Sequence, residues 1–273
     1  MKKIPWSIST TVRNPERLRD FLRVLKQLEG KDFNRENQIQ YQVLLIKERL
    51  YRPTKNPSDY KSLIDDFTKE IPLDIARKIF DFQNYEDPPM RGRQSVNPLN
   101  KLGFSIAKEK AGPIRITSLG NLFLSPESDV GYIFFKSLLK LQFPNQWSND
   151  FTDKKGFNVR PFIAELHLLN IIKKLNSDEF SIFCPTLVHF KNIDKYSKSI
   201  LKLRSLKSNS EKDVFVKNFL KEFYESEELT RLQIDNLFDY GDNAMRYFRL
   251  TKYFRVTKQP LGRWIIELEP ART

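Results

Sequence analysis

The sequence predicts a mainly α chain with short β-hairpins, an α+β arrangement of tandem winged-helix or helix-turn-helix subdomains. Three observations predict it. Apolar residues recur at helical spacing, as in Leu18, Phe21, Leu22, Leu25 and Leu28. A strand, a polar turn and a second strand follow a set of helices twice, around 102–117 and around 253–268. The polar, turn-rich segment from Pro144 to Lys155 separates the two sets and divides the chain into subdomains 1–148 and 149–273.

The elements follow in order. The arm from Pro5 to Asn14 is short, polar and β-branched. Asn14-Pro15 starts a helix, because Asn caps well and Pro is tolerated at the first helical position. Gly30 ends it. Further helices are expected over Gln38–Leu50, Asp59–Glu70 and Leu73–Gln83. Residues 84–98 hold Pro88, Pro89, Gly92 and Pro98 and are expected to form a loop. Leu102–Ile106 and Pro113–Thr117 then read as a hairpin, followed by a helix over Asp129–Gln142. The second half repeats this plan. Helices are expected over Val159–Leu175, from a cap at Ser177 to a break at Pro185, over Asn192–Ser208, and near 212–225 and 228–250. Tyr253–Thr257 and Arg263–Leu268 form the closing hairpin.

Lys and Arg number 47 against 34 Asp and Glu, a formal charge of +13. A folded chain stores repulsion at that charge, and a polyanionic partner is the common reason to tolerate it. Nucleic acid comes first. A membrane surface comes second, because the basic residues are spread along the chain rather than gathered in one tail. A basic protein without such a partner is the third reading. Cys184 is the single cysteine and lies in an apolar run, which suits an inert thiol in a reducing, cytoplasmic compartment. No apolar segment backs the lysines of the N-terminus, and no run reaches the roughly 18 apolar residues of a membrane span.

Candidate DNA contacts fall in three groups. Lys191, Lys195, Lys198 and Lys202 recur on one face of the Asn192 helix, opposite Ile193, Tyr196, Ile200 and Leu203. Such a stripe suits phosphates, and it equally suits a solvated surface. Arg91 and Arg93, with Gln94, Ser95, Asn97 and Lys101 beside or after them, suit base edges. The Arg fork matches guanine O6 and N7, and the Gln or Asn amide matches adenine. A mobile charged loop is the rival reading. Ser9, Thr11, Arg13 and Arg17 offer hydroxyls and guanidinium groups around a helix start, while Trp6 reads as a core anchor. Arg246 and Arg249 fit a structural or a phosphate-facing role equally.

A Mg2+-dependent nuclease needs an Asp and a downstream Asp/Glu-x-Lys, with carboxylates on the metal and the Lys near the attacking water. The matches are Glu29-x-Lys31 at a helix end and Asp153-x-Lys155 in a polar loop. Neither lies on an expected strand after a suitable Asp. His167, in an apolar helix, reads as a core histidine, and two isolated histidines with one cysteine do not form a zinc pattern.

Trp6-Ser7-Ile8-Ser9-Thr10-Thr11-Val12-Arg13-Asn14-Pro15-Glu16-Arg17-Leu18 resembles the start of AlwI-type type IIS restriction and nicking endonucleases. So do Arg91-Gly92-Arg93, Leu102-Gly103-Phe104, Arg115-Ile116-Thr117 with Gly120, Gln142-Phe143-Pro144, and Arg246-Tyr247-Phe248-Arg249 with Thr251. The plan also resembles, more loosely, the recognition half of the FokI enzyme. The resemblance implies a recognition half of winged-helix subdomains that binds a short asymmetric site in double-stranded DNA. It further implies a C-terminal or separate Mg2+-dependent nuclease domain, which these residues would stop short of. No cofactor or catalytic residue is then expected within them. A stand-alone winged-helix regulator or defence-system sensor is the rival function, and a nuclease with a cryptic centre in this chain the third.

Overall fold

The computed structural model describes residues 3–9, 11–147 and 150–272. Among them lie twelve α-helices and five short strands, gathered into two compact units, Glu16–Ser128 and Met1–Pro15 with Asp129–Thr273. The division expected between 148 and 149 falls on residues outside the described set.

In the unit Glu16–Ser128, a 3-10 turn over Pro15–Arg17 leads into α1 (Leu18–Lys26), whose apolar stripe is buried. Asn34 caps α2 (Arg35–Lys47) by accepting the Asn37 N–H at 3.0 Å. Helix α2 is buried from Tyr41 through Ile46, and the Tyr41 hydroxyl donates to Phe21 O at 3.0 Å. Short α3 (Lys61–Asp65) and longer α4 (Leu73–Phe82) close an apolar cluster of Val43, Ile46, Ile64, Ala76, Ile79 and Phe80. Next comes α5 (Met90–Lys101), where a loop was expected. Pro89 precedes its first turn and Pro98 sits in its last. Pro98 gives up one hydrogen bond, yet Val96 and Leu99 bury against the core and the ladder continues from Leu102 N–H to Pro98 O at 3.0 Å. The local cost of proline loses to that burial. Strands β1 (Ser105–Ile106) and β2 (Arg115–Ile116) pair antiparallel, and Thr117 caps α6 (Ser118–Leu124). Gly30, at φ +85°, turns the chain out of the first helical region, and its N–H donates to Ile114 O at 2.9 Å.

The other unit opens with the arm and resumes at α7 (Val130–Lys140), capped by Asp129. It continues through α8 (Pro161–Ile172), β3 (Lys174–Asn176), α9 (Ser177–Thr186), α10 (Ile193–Ser205), α11 (Asn209–Tyr224) and α12 (Arg231–Arg249). It ends in β4 (Phe254–Lys258) and β5 (Trp264–Leu268). The closing hairpin forms as expected, with Val256 opposite Ile266. Strand β3 joins the far side of β5, so the sheet order is β3-β5-β4. Asn176, rather than Ser177, caps α9 and forms a capping box with Glu179. Pro185 lies within the last turn of α9 instead of breaking it. The carbonyl of Pro185, left over at the helix end, accepts the Trp6 N–H at 2.9 Å. Trp6 is fully buried against Phe143 and Phe248. Helix α12 crosses α9 at Gly241, where a Cβ would lie 2.5 Å from Ser181 Cα.

His167 is exposed on α8, not buried as its apolar neighbours suggested, because it falls on the face opposite Leu168 and Leu169. The buried charged residue of that helix is Glu165, 1% exposed, with the Cys184 thiol beside its carboxyl. Burial pushes the Glu165 carboxyl up to about 8 from its ordinary 4.5. Between those values the folded chain keeps a proton that the unfolded chain releases, so stability falls as pH rises through that window. Glu165→Gln is expected to flatten this fall. Urea unfolding between about pH 5 and pH 8 measures it, and parallel profiles for the two proteins would rule out a protonated, buried Glu165.

Candidate nucleic-acid interface

Helix α5 turns a run of polar residues into a surface strip. Gly92, Ser95, Val96 and Leu99 face inward, whereas Asn97 is exposed and Arg93, Gln94 and Lys101 are half-buried at its rim. Arg93 is held in place. One guanidinium nitrogen donates to Asp87 Oδ2 at 2.6 Å and another to Gln38 Oε1 at 3.2 Å. Arg91 lies outside the strip, with its Nε buried and without a hydrogen-bond partner. Gly92 sets the depth of the helix, because a Cβ there would lie 2.2 Å from Gln38 O on α2. The expected loop thus becomes a rigid helix whose arginines differ in setting.

The N-terminal arm is tied down rather than extended. Ser9 is buried, its N–H donates to Asn243 Oδ1 at 3.2 Å, and its Oγ accepts the N–H groups of Val12 and Thr11 at 2.9 and 3.3 Å. Val12 O accepts from Asn243 Nδ2 and from the Tyr247 hydroxyl. Arg13 pairs with Asp239 at 2.7 Å and stays more than half exposed. Asp239, Asn243 and Tyr247 are spaced by four residues, so one face of α12 holds the arm. In the other unit, Arg17 donates to Leu50 O and lies 5.5 Å from the Phe21 ring centre.

Of the four lysines expected on one helix face, Lys195, Lys198 and Lys202 lie on α10, and Lys191 lies in the 3-10 turn that precedes it. Lys191, Lys195, Lys198 and Lys202 are all exposed, opposite the buried Tyr196, Ile200 and Leu203. Lys195 reaches Glu222 of α11 at 2.7 Å, and Lys202 lies 5.7 Å from the Phe215 ring centre. Arg246 pairs within its helix with Asp242 at 2.8 Å.

The two carboxylate–lysine pairs have other settings. Glu29 Oε1 accepts the Ile116 N–H at 2.7 Å, and Asp153 accepts the Lys154 N–H in an exposed 3-10 turn. Among the described residues, no group of three or more His, Cys, Asp or Glu side chains is placed to hold a metal ion. No helix among them is long and apolar enough to cross a membrane.

Asp87, Gln38 and Glu222, which set the positions of the cations, escaped the sequence reading. Their partners lie 6, 55 and 27 residues away, beyond any local pattern. Helix α5 itself left a signal in the spacing of Val96, Leu99 and Leu102, which the prolines masked.

Residues 100–270 match the family model described as AlwI restriction endonuclease. The match holds Lys101, the α10 stripe and the closing hairpin, and Arg91 and Arg93 precede it. No curated protein matches the chain. Gly92→Ala is expected to push α5 off α2 and cost about 1–3 kcal/mol of stability, since overpacking against backbone outweighs the gain in helix propensity. Thermal or urea unfolding checks this, and a neutral or stabilising effect would show that the α5–α2 approach is not tight.

Proposed function

The chain belongs to the AlwI restriction endonuclease family, and from that membership we propose that it recognises duplex DNA as the targeting part of a type IIS enzyme, reading a short asymmetric site. One observation carries the reading. Arg93, Gln94, Asn97 and Lys101 share the outward strip of a helix, and a helix is the element that enters the major groove. Arg93 supplies the fork for guanine, Gln94 and Asn97 supply amides for adenine, and Lys101 supplies a cation for phosphate. Arg91, half-buried and outside that strip, adds a cation near the start of the same helix. The exposed lysines of α10 lie inside the family match and fix register on the backbone. Ser9, Thr11, Arg13 and Arg17 assist at phosphates through whatever donors their internal contacts leave.

The two hairpins act as wings of winged-helix subdomains. Exposed Lys110 sits in the turn of the first, and Lys258 and Arg263 flank the turn of the second. The Mg2+-dependent cleavage step belongs to a nuclease domain other than these residues.

Arg93→Ala is expected to relax specificity at one base pair and cost about 1–3 kcal/mol there. Titration of single-base variants of a selected site measures it, and uniform weakening at every position would refute the base contact. Lys195→Ala is expected to weaken all duplexes alike and lower the salt slope of log K by about 0.9. Its pair with Glu222 is exposed, worth at most about 1 kcal/mol, and so leaves the ammonium available. An unchanged slope over a salt titration would remove Lys195 from the interface.

A further inference from the structure

The unit formed by the arm and residues 129–272 holds a cleft of about 730 Å3, with Lys191 of the lysine stripe at its edge. Its size falls within the range of small-ligand sites. Its walls come from the Gln142–Pro144 segment, from Asn158–Arg160, from α8, and from the start of α10. Phe190 stands at the cleft 49% exposed. It is not loose. Its N–H donates to Asn158 O at 2.9 Å, and its ring lies over the His189 ring with centres 5.2 Å apart and planes 20° from parallel. Ile171, also exposed, adds a second apolar patch.

Polar groups surround this ring without being used internally. The side chains of Arg160, His167, Asn170 and Lys191 line the cleft and make no hydrogen bond or ion pair with other described residues. Asn158 and Gln142 add further amide groups. Cations outnumber anions, since Arg160 and Lys191 face a single lining carboxylate, Asp194. Asp194 and Lys191 lie at the α10 end of the lining and Arg160 at the α8 end. The cleft therefore asks for a ligand with a flat ring, hydrogen-bonding edges and a negative charge.

We propose that this cleft binds one unpaired nucleotide, with the base stacked on Phe190, its edge met by Asn158, Asn170 or His167, and its phosphate held by Arg160 and Lys191. Base–aromatic stacking tolerates any base, and the amides add preference. A free nucleotide and a nucleotide swung out of a DNA strand share this chemistry. The proposal stands whether or not Arg93 reads a duplex, because Lys191 is the one residue it shares with the proposed duplex contacts and its ligand is not base-paired.

The test titrates the full chain with each of the four 2′-deoxynucleoside 5′-monophosphates, followed by calorimetry and by amide chemical shifts. Inorganic phosphate and the matching nucleosides serve as controls. At least one monophosphate is expected to bind more tightly than either control. Phe190→Ala should weaken it about tenfold. Arg160→Ala should abolish the preference for the monophosphate over the nucleoside while leaving nucleoside binding intact. Both residues are exposed enough for the variants to fold. Absence of binding, binding no tighter than inorganic phosphate, or wild-type affinity in both variants would overturn the proposal. Displacement of the bound monophosphate by a short single strand assigns the site to DNA, and failure of displacement assigns it to a free nucleotide; both uphold the cleft as a nucleotide site.

Discussion

Asn243 joins parts of the chain that the sequence holds more than two hundred residues apart. Its Oδ1 accepts from Ser9 and its Nδ2 donates to Val12 O, all of it out of water. A buried amide of this kind contributes modestly when satisfied and costs far more when one partner is lost, because the others stay buried and unpaired. The arm depends on it. With Val12 fixed, Trp6 fills the space between Phe143 and Phe248, and its N–H satisfies the carbonyl at the end of α9. The compact unit is discontinuous in sequence, and this contact is where its pieces meet.

Each unit also relies on a helix crossing that only a glycine permits. Gly92 brings α5 onto the backbone of α2, and Gly241 brings α12 onto α9 at Ser181. Close approach of backbones leaves little freedom of rotation, and tightly packed interiors do not deform continuously. The outward residues of α5 and the arm-holding face of α12 inherit their positions from those crossings.

Helical periodicity and both hairpins were legible in the sequence, because each rests on residues close to one another. Leu18 to Leu28 announced α1, and Tyr253 to Leu268 announced the closing hairpin. The errors came where distant burial overruled a local rule. Pro98 argued against a helix that Val96, Leu99 and the α2 contact enforce, and Pro185 argued for a break that α12 packs over. His167 was assigned to the core because its neighbours are apolar, yet its position on the turn points outward. Strand β3, three residues long, left no alternating pattern to detect. For the candidate site, the cations were visible by type and spacing, whereas Asp87, Gln38 and Glu222, which anchor them, were not.

The pair of Arg93 with Asp87 means that the most exposed strip of α5 already contains its own competitor. Asp87 offers the guanidinium two acceptor oxygens, much as a guanine edge offers two acceptor atoms. Both side chains are about two-fifths exposed, so the pair is worth at most about 1 kcal/mol. If Arg93 meets a base as proposed, an edge with two well-placed acceptors would displace Asp87 and an edge that presents a donor would not. Discrimination there would then come partly from an exchange of partners within the protein, with its threshold set by an aspartate that need not touch the DNA.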